Sequence, residues 1–132
     1  MESRIVFTNG CFDVLHYGHF RLLEFCKSLG DKVIVGLNSD ASVHRLKGDN
    51  RPINNQSVRE FNLRCVKFVD NVIIFDEDTP LKLIEKIKPN YIVKGGDYTP
   101  ENVVGNQISE VIIFDYVNGF STTKQIQHFT SG

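Results

Sequence analysis

Residues 8–19 read Thr8-Asn9-Gly10-Cys11-Phe12-Asp13-Val14-Leu15-His16-Tyr17-Gly18-His19. They follow the apolar run Ile5-Val6-Phe7, which is short enough to be a buried strand, and they precede a pattern typical of a helix. Such a junction places the unpaired N–H groups and partial positive charge of a helix start beside a strand end, which favours anion binding. His16 and His19 are three residues apart, so they face the same side of the first helical turn. The stretch therefore predicts a phosphate-binding site that contains two imidazole rings.

A tight connection with ordinary surface histidines is the competing interpretation, because glycine-containing turns are common between strands and helices. Gly10 and Gly18 favour the ligand interpretation, since each removes a side chain where a bulky ligand would approach the backbone. A metal site is the weaker alternative, because no third His, Cys or carboxylate cluster completes a zinc-binding set. We therefore predict phosphate binding and no protein-ligated metal at this junction.

Length and composition indicate one ordinary globular unit. The 132 residues contain no internal repeat and predict a single domain over residues 1–132, with 41% hydrophobic and 23% charged residues. A net charge of −1 gives no electrostatic case for a nucleic-acid partner, and no apolar run approaches the ~20 residues that span a membrane. No signal peptide is visible, and the widely spaced Cys11, Cys26 and Cys65 indicate reduced thiols. We expect a cytoplasmic protein.

Predicted strands and helices alternate along the chain. The predicted strands are Ile5–Thr8, Lys32–Leu37, Val72–Phe75, Tyr91–Lys94 and Val111–Phe114. The predicted helices are Gly18–Leu29, a short helix from Asn38-Ser39-Asp40 toward Lys47, a helix from a Ser57/Glu60 capping box to about Phe68, a helix from Thr79-Pro80 to Lys88, and Ser121–Phe129. This alternation predicts the α/β class, with a doubly wound parallel sheet of five strands covered by helices on both faces.

Ligands of such sheets bind beyond the carboxyl ends of the strands, so the following loops should share one rim. Asn38 and Asp40 end the second strand, where helix capping and ligand binding are equally supported. Lys47, beside a glycine, is either a solvated loop charge or a point charge that closes over a triphosphate. Arg59 lies in a first helical turn, where the dipole disfavours a cation unless an anion is near.

Two further segments of the predicted rim are candidates for ligand contact. Gly96 and Asp97 follow the fourth strand, where two consecutive glycines permit backbone approach to a ligand, an ordinary turn being the alternative. Ser121 and Thr122 open the last predicted helix and would form a second phosphate site unless they only cap it. The chain has neither a Walker A motif nor Gly-x-Gly-x-x-Gly, so a P-loop kinase or a dinucleotide oxidoreductase is poorly supported.

Residues 10–19 resemble the signature of the cytidylyltransferase-like nucleotidylyltransferases, a superfamily with a His-x-Gly-His motif on a Rossmann-like sheet. More specific similarity, to the adenylyltransferase domain of bacterial ADP-heptose synthases, is carried by Asn38–Gly48, Arg51–Asn54, Glu77–Pro80 and Val93–Tyr98. The resemblance implies that ATP and heptose 1-phosphate react to an ADP-sugar for lipopolysaccharide core. It also implies Mg²⁺ carried by the triphosphate, and a homodimer.

The resemblance assigns roles to individual residues. His16 and His19 are expected to contact the nucleotide phosphates and the transition state, and Lys47 to steady the triphosphate or the acceptor phosphate. The implied nucleotide-binding residues are Thr8, Asn9, Gly10, Phe12, Asp13, Gly18, Arg59, Gly96, Asp97, Ser121 and Thr122. Asp13 would order its loop or assist magnesium. The implied acceptor-binding residues are Asn38, Asp40 and Lys47.

Two other functions remain open at this point. Glycerol-3-phosphate cytidylyltransferases share the motif Gly119-Phe120-Ser121-Thr122-Thr123, but an Arg-Thr pair precedes the glycine in that family. Tyr116 and Val117 stand at those places here, which weakens this interpretation. A nucleotide-binding module without turnover is a different class of function, and the intact histidine pair with Lys47 and Arg59 argues against it.

Overall fold

Six strands form one sheet in the computed structural model, which describes residues 3–115 and 120–123. The strands are β1 (Ile5–Gly10), β2 (Lys32–Asn38), β3 (Asn71–Phe75), β4 (Tyr91–Gly95), β5 (Glu110–Asp115) and β6 (Phe120–Thr123). The helices are α1 (Tyr17–Leu29), α2 (Asp40–Lys47), α3 (Gln56–Arg64) and α4 (Leu81–Ile87), with a 3₁₀ turn at Pro100–Asn102.

The strand order is β3-β2-β1-β4-β5-β6. Strands β1 to β5 are mutually parallel, and β6 pairs antiparallel with β5. The predicted five-stranded parallel sheet is therefore confirmed, with an additional antiparallel edge strand. Because the chain runs outward from β1 in one direction to β3 and then crosses to β4, the order reverses between β1 and β4, where such sheets bind ligands.

Both faces of the sheet are covered by helices, as predicted. On one face, Leu23 of α1 and Leu63 of α3 belong to a buried cluster with Val6 of β1. On the other face, Ile84 of α4 packs in a second cluster with Phe7 of β1. Adjacent residues of a strand point to opposite faces, so one apolar run supplies both cores. In the described part of the chain, no helix is long and apolar enough to cross a membrane.

Strands β1 and β4 separate before they reach the rim. β1 pairs with β2 from Ile5 to Gly10, but its pairing with β4 stops where Phe7 lies opposite Ile92. Beyond that point, side chains replace the main-chain ladder: the Thr8 hydroxyl donates to the carbonyl oxygen of Val93 at 2.7 Å. The Lys94 ammonium donates to the carbonyl oxygen of Asn9 at 3.0 Å. The separation opens a cleft at the carboxyl ends of both strands.

The predicted last helix is wrong at its start. Residues Phe120–Thr123 form β6, in which Ser121 lies opposite Phe114 of β5. Pairing with β6 provides hydrogen-bond partners for main-chain groups of β5 that would otherwise form an open sheet edge. Threonine also favours strands, so both effects stabilise a strand at this position. A phosphate site at a helix start is therefore not formed by Ser121 and Thr122. Residues 124–129 of the predicted helix, and Tyr116, Val117 and Gly119, lie outside the described residues.

The start of α3 also differs from the prediction. The cap is Asn55, whose side chain accepts from the N–H of Val58 at 3.0 Å, and no Ser57/Glu60 capping box is formed. Asparagine is among the strongest capping residues, so it takes this role two residues earlier. The helix ends at Arg64 rather than near Phe68, and α4 begins at Leu81 with Pro80 in the cap position.

Candidate active site

The two histidines build the start of α1 together. His16 is the cap, and its Nδ1 accepts from the N–H of Gly18 at 3.1 Å. The Nδ1 of His19 accepts in return from the N–H of His16 at 3.2 Å. This is a capping box made of imidazoles, in which two otherwise unpaired N–H groups are satisfied. The ring centroids lie 3.9 Å apart, so the rings do face the same side, as their spacing predicts.

The capping bonds fix which nitrogen of each ring carries the proton. Because both Nδ1 atoms accept, a neutral ring must hold its proton on Nε2, and that N–H is left as a donor. Burial, with a further contribution from the neighbouring His16, lowers the pKa of His19 to about 4. His19 is therefore a neutral hydrogen-bond donor at neutral pH. Both rings line the cleft at the end of β1.

Phe12 supports this pair from the loop that follows β1. Its backbone has a φ of 45°, a left-handed conformation that is rare for a bulky residue and is found mainly where function requires it. Its buried ring meets the ring of His19 edge to face, with centroids 5.2 Å apart. A Cβ at Gly10 would lie 3.2 Å from the Phe12 ring, so a larger residue there would require the ring to shift by a few tenths of an ångström.

Asp13 holds a second loop against the cleft. Its two carboxylate oxygens accept from the N–H groups of Ile53 at 2.7 Å and Asn54 at 2.8 Å. Burial raises the pKa of Asp13, but those N–H donors and the nearby charges of Arg59 and Arg51 outweigh it and hold the pKa below its usual value. Of the two roles that the resemblance allows, loop ordering has this direct geometric support.

The rim of the sheet contains a main cavity of about 540 Å³ and a second cavity of about 300 Å³. A third cavity of about 230 Å³ is also lined by both histidines. The predicted site residues that line at least one of them are Thr8, Asn9, Gly10, Phe12, Asp13, His16, Gly18, His19, Asn38, Lys47, Gly96 and Asp97. Ser121 and Thr122 lie on β6, where Ser121 is opposite Phe114, a residue that lines the third cavity.

Arg59 is placed differently from the prediction. Its side chain is 0% exposed and lines none of these cavities. It donates to the carbonyl oxygens of Asn54, Cys11 and Asn38 at 2.9, 2.9 and 2.8 Å, and to the carboxylate of Asp40 at 2.7 Å. These bonds occupy Arg59 and engage Asp40, so the pair connects loops within the protein. We correct the expected phosphate contact of Arg59 accordingly.

Among the residues of the main cavity that were not predicted as site residues, three are charged or aromatic. Lys94, Arg51 and Tyr98 all line the main cavity, and Lys94 is only 9% exposed. Arg51 lies in a loop whose fold depends on distant contacts with Asp13, so local sequence carries little signal for it. A signal for Lys94 does exist: a lysine directly after the apolar pair Ile92-Val93, in a strand of a parallel sheet, must be buried near the strand end.

Comparison with known proteins is consistent with this geometry. The Bifunctional protein HldE of Campylobacter fetus subsp. fetus (strain 82-40) is 57% identical over 123 residues, which cover 92% of this chain and 27% of that protein. The protein of the same name from Rhodopseudomonas palustris (strain HaA2) is 52% identical over 134 residues, covering 98% and 27%. The chain thus spans little more than a quarter of the length of these relatives.

A solved structure has the same fold. The crystal structure of the lipopolysaccharide core biosynthesis protein from Thermoplasma volcanium GSS1 matches with a TM-score of 0.70 and 29% identity, over 86% of this chain and 96% of that chain. The chain has a Rossmann-like sheet with a histidine-lined cleft at its rim. The chain belongs to the cytidylyltransferase-like family, whose model matches residues 7–127.

The placement of Arg59 predicts a structural role that can be measured. Replacement Arg59→Met should lower the free energy of unfolding by about 2–6 kcal/mol, because the carbonyl groups of Cys11 and Asn38 lose their donor at about 1–3 kcal/mol each. Urea unfolding gives the value. Arg21→Met is the control, because its exposed ion pair with Glu24 should contribute at most about 1 kcal/mol. If Arg59→Met unfolds like the wild type but has a raised KM for the nucleotide, Arg59 contacts the phosphates as the sequence predicted.

Two substitutions of His16 separate capping from catalysis. His16→Asn retains a capping oxygen and should unfold like the wild type, whereas His16→Ala should lose roughly 1 kcal/mol. Both variants remove the Nε2 donor, so both should lower kcat by roughly 10²- to 10³-fold. Denaturant unfolding and pyrophosphate release provide the two measurements. An Asn variant with nearly wild-type kcat would reduce His16 to a helix cap.

The low pKa of His19 predicts a specific pH dependence of stability. In the unfolded chain His19 binds a proton as the pH falls through its ordinary pKa of 6.5, whereas in the folded chain it does so only at about 4. The free energy of unfolding should therefore fall as the pH is lowered from about 6.5 to about 4. His19→Gln should remove this part of the slope. The difference between the two proteins in urea midpoint across that range is the measurement, and parallel curves would contradict the shift.

Proposed function

We propose that this chain transfers the nucleotidyl group of a nucleoside triphosphate to a sugar 1-phosphate, with ATP and heptose 1-phosphate as the favoured pair. The observation that carries the proposal is the pair of neutral imidazole donors of His16 and His19, whose rings line a main cavity that shares wall residues with a second one. Similarity of Asn38–Gly48 and Val93–Tyr98 to heptose adenylyltransferases supports the choice of substrates. The structural relative from Thermoplasma volcanium is named as a lipopolysaccharide core biosynthesis protein, which agrees with a sugar acceptor.

The chemistry requires positioning and charge stabilisation more than proton transfer. A sugar phosphate is already ionised near neutral pH, so one of its oxygens attacks the α-phosphorus without a general base. A bond from that oxygen to the α-phosphorus forms, the bond from the α-phosphorus to the bridging oxygen breaks, and pyrophosphate leaves. The histidine donors stabilise the charge that develops on the phosphoryl oxygens, and Lys47 adds a positive charge from the end of α2.

Magnesium enters this proposal with the nucleotide. Mg²⁺ usually keeps several waters and is held by one or two carboxylates together with substrate phosphates. The described residues contain no group of three or more His, Cys, Asp or Glu that could hold a metal ion. Asp97 lines the third cavity with both histidines, and we propose that its carboxylate would hold a water of the ion. Bound Mg²⁺ would supply neutralisation of the triphosphate charge.

The assignment is tested by a matrix of nucleotides and acceptors. With ATP and CTP, each paired with heptose 1-phosphate and glycerol 3-phosphate at fixed Mg²⁺, we expect the highest kcat/KM for ATP with the heptose phosphate. Pyrophosphate release and product mass identify each reaction, and the folded double variant His16→Ala/His19→Ala is the inactive control.

Each alternative outcome of the matrix has a defined meaning. Efficient CDP-glycerol formation without ADP-heptose would overturn the substrates and leave nucleotidyl transfer standing. Nucleotide binding with no turnover on any acceptor would favour the non-catalytic module. The implied homodimer and cytoplasmic location remain predictions, the first of which light scattering can check.

A further inference from the structure

Lys94 is a buried cation that has no acidic partner among the described residues. It is the second-last residue of β4 and is 9% exposed. Its Nζ donates to the carbonyl oxygen of Asn9 at 3.0 Å and to the Oδ1 of the same residue at 3.4 Å, and it lies 4.7 Å from the ring centre of Tyr98. Within residues 3–115 and 120–123, no carboxylate forms an ion pair with it.

Such burial is unfavourable for a charged group unless an anion compensates it. Burial lowers the pKa of Lys94 to about 8, and the neighbouring Cys11 only partly offsets this. The free-energy cost of desolvating a cation is offset by hydrogen bonds and by an opposite charge. Neutral oxygens supply the hydrogen bonds to Lys94, but no opposite charge pairs with it in the described part of the chain. A buried cation with a shifted pKa in a cleft is typical of a functional site.

The position of Lys94 identifies the anion it would bind. It lines both the main and the second cavity, a property it shares with Asn9, Gly10, Cys11, Lys47 and Tyr98. The main cavity also has His16, His19 and Arg51 to contact the phosphates of a nucleotide. The cations that line the second cavity are Lys47, which is exposed, and Lys94, which is fixed by Asn9. A phosphate bound where the main and second cavities share wall residues would therefore contact Lys94 from the second cavity.

The second cavity has the lining that a polyol requires. Asp78, Thr79 and Asn102 place a carboxylate, a hydroxyl and an amide around it, and such groups bind sugar hydroxyls. Apolar side chains, among them Val103 and Val104, provide surface for the CH groups of a ring. Its volume of about 300 Å³ is at the lower end of the range for small-molecule sites, which suits a ligand smaller than a nucleotide.

We propose that Lys94 binds the phosphate of the acceptor and that the second cavity binds the polyol part of the same molecule. This inference rests on the proposed nucleotidyl transfer, to which it adds the place of the second substrate. The acceptor phosphate then lies at the boundary with the main cavity, where the α-phosphorus of the nucleotide is to be attacked. Lys47 acts from the exposed end of α2, whereas Lys94 is held in place before any substrate arrives.

Kinetic variants test the assignment of Lys94 to the acceptor. Lys94→Met keeps the length of the side chain and removes its charge, so we expect the acceptor KM to rise roughly 10- to 100-fold, the effect of one lost charge-assisted contact. The Kd of the triphosphate alone should change by less than about threefold on this reasoning. Lys94→Arg should recover part of the acceptor affinity. Lys86→Met on the exposed side of α4 is the matched control and should behave like the wild type.

Other kinetic results would overturn the assignment. A Kd for the triphosphate that rises as much as the acceptor KM would place Lys94 in the nucleotide site. An unchanged acceptor KM in a folded Lys94→Met protein would refute the acceptor role, and an unchanged Kd of the triphosphate in the same protein would exclude the nucleotide site as well. Asn102→Ala tests the polyol part and should raise the acceptor KM roughly fivefold, the effect of one neutral hydrogen bond. No change in that variant would refute the second cavity as the sugar site.

A titration without turnover separates this inference from the proposed function. The side-chain NMR signals of Lys94 should titrate with a midpoint near pH 8 in the free protein. A triphosphate analogue with a methylene bridge between the α- and β-phosphorus fills the nucleotide site without reacting. Inorganic phosphate added to that complex should then raise the midpoint, because a nearby anion favours the ammonium form. Lys86 in the same spectra should not move.

Other titratable groups near Lys94 also influence the midpoint of its titration. The titratable groups that line the same two cavities are Cys11, Asp13, His16, His19, Lys47, Arg51, Asp78 and Tyr98. A shift with the analogue alone, and none with added phosphate, would assign Lys94 to the nucleotide and refute the inference. A shift with phosphate in a protein that transfers nothing would retain the anion site and refute only the proposed function.

Discussion

The separation of β1 from β4 is the constraint on which the rest of the site depends. Main-chain pairing between them stops at Phe7 and Ile92, while β1 continues along β2 to Gly10. The gap leaves strand-end groups that need partners, and the Thr8 hydroxyl and the Lys94 ammonium provide them. The cleft thus lies between two strands that share the same two cores, since Val6 and Val93 belong to one cluster and Phe7 and Ile92 to the other. Because its walls are strands of the sheet, the cleft is held in a fixed geometry, which favours catalysis by positioning.

The histidine pair shows how one set of bonds can serve folding and chemistry. Each Nδ1 completes the start of α1, and this same bond directs the remaining N–H of each ring to its Nε2. Phe12 contacts the ring of His19 edge to face, and burial keeps that ring neutral. The local sequence is therefore constrained twice at these positions, once by the helix and once by the ligand.

The sequence predicted what depends on local pattern and missed what depends on distant partners. Apolar runs separated by helical patterns predict the five parallel strands, and the spacing of His16 and His19 predicts their shared face. Ser121 and Thr122 suit a helix start and a strand equally well, and pairing with β5 decides between them. Arg59 was misplaced because its partners Cys11, Asn38 and Asp40 are distant in the sequence. The apolar residues before Lys94 do indicate its burial, but only the tertiary fold shows that it forms no ion pair among the described residues.

One buried guanidinium also determines how the rim can move. Arg59 joins the loop after β1 through Cys11, the end of β2 through Asn38, and the segment before α3 through Asn54. Opening any one of these segments breaks bonds to the same group, so their fluctuations are coupled and should occur as a single cooperative unit. We therefore expect the loop after β1, the end of β2 and the segment before α3 to open together. None of the Arg59 bonds found in the described part of the chain reaches β4 or the 3₁₀ turn at Pro100–Asn102, so that side of the rim is not coupled to the others through this guanidinium.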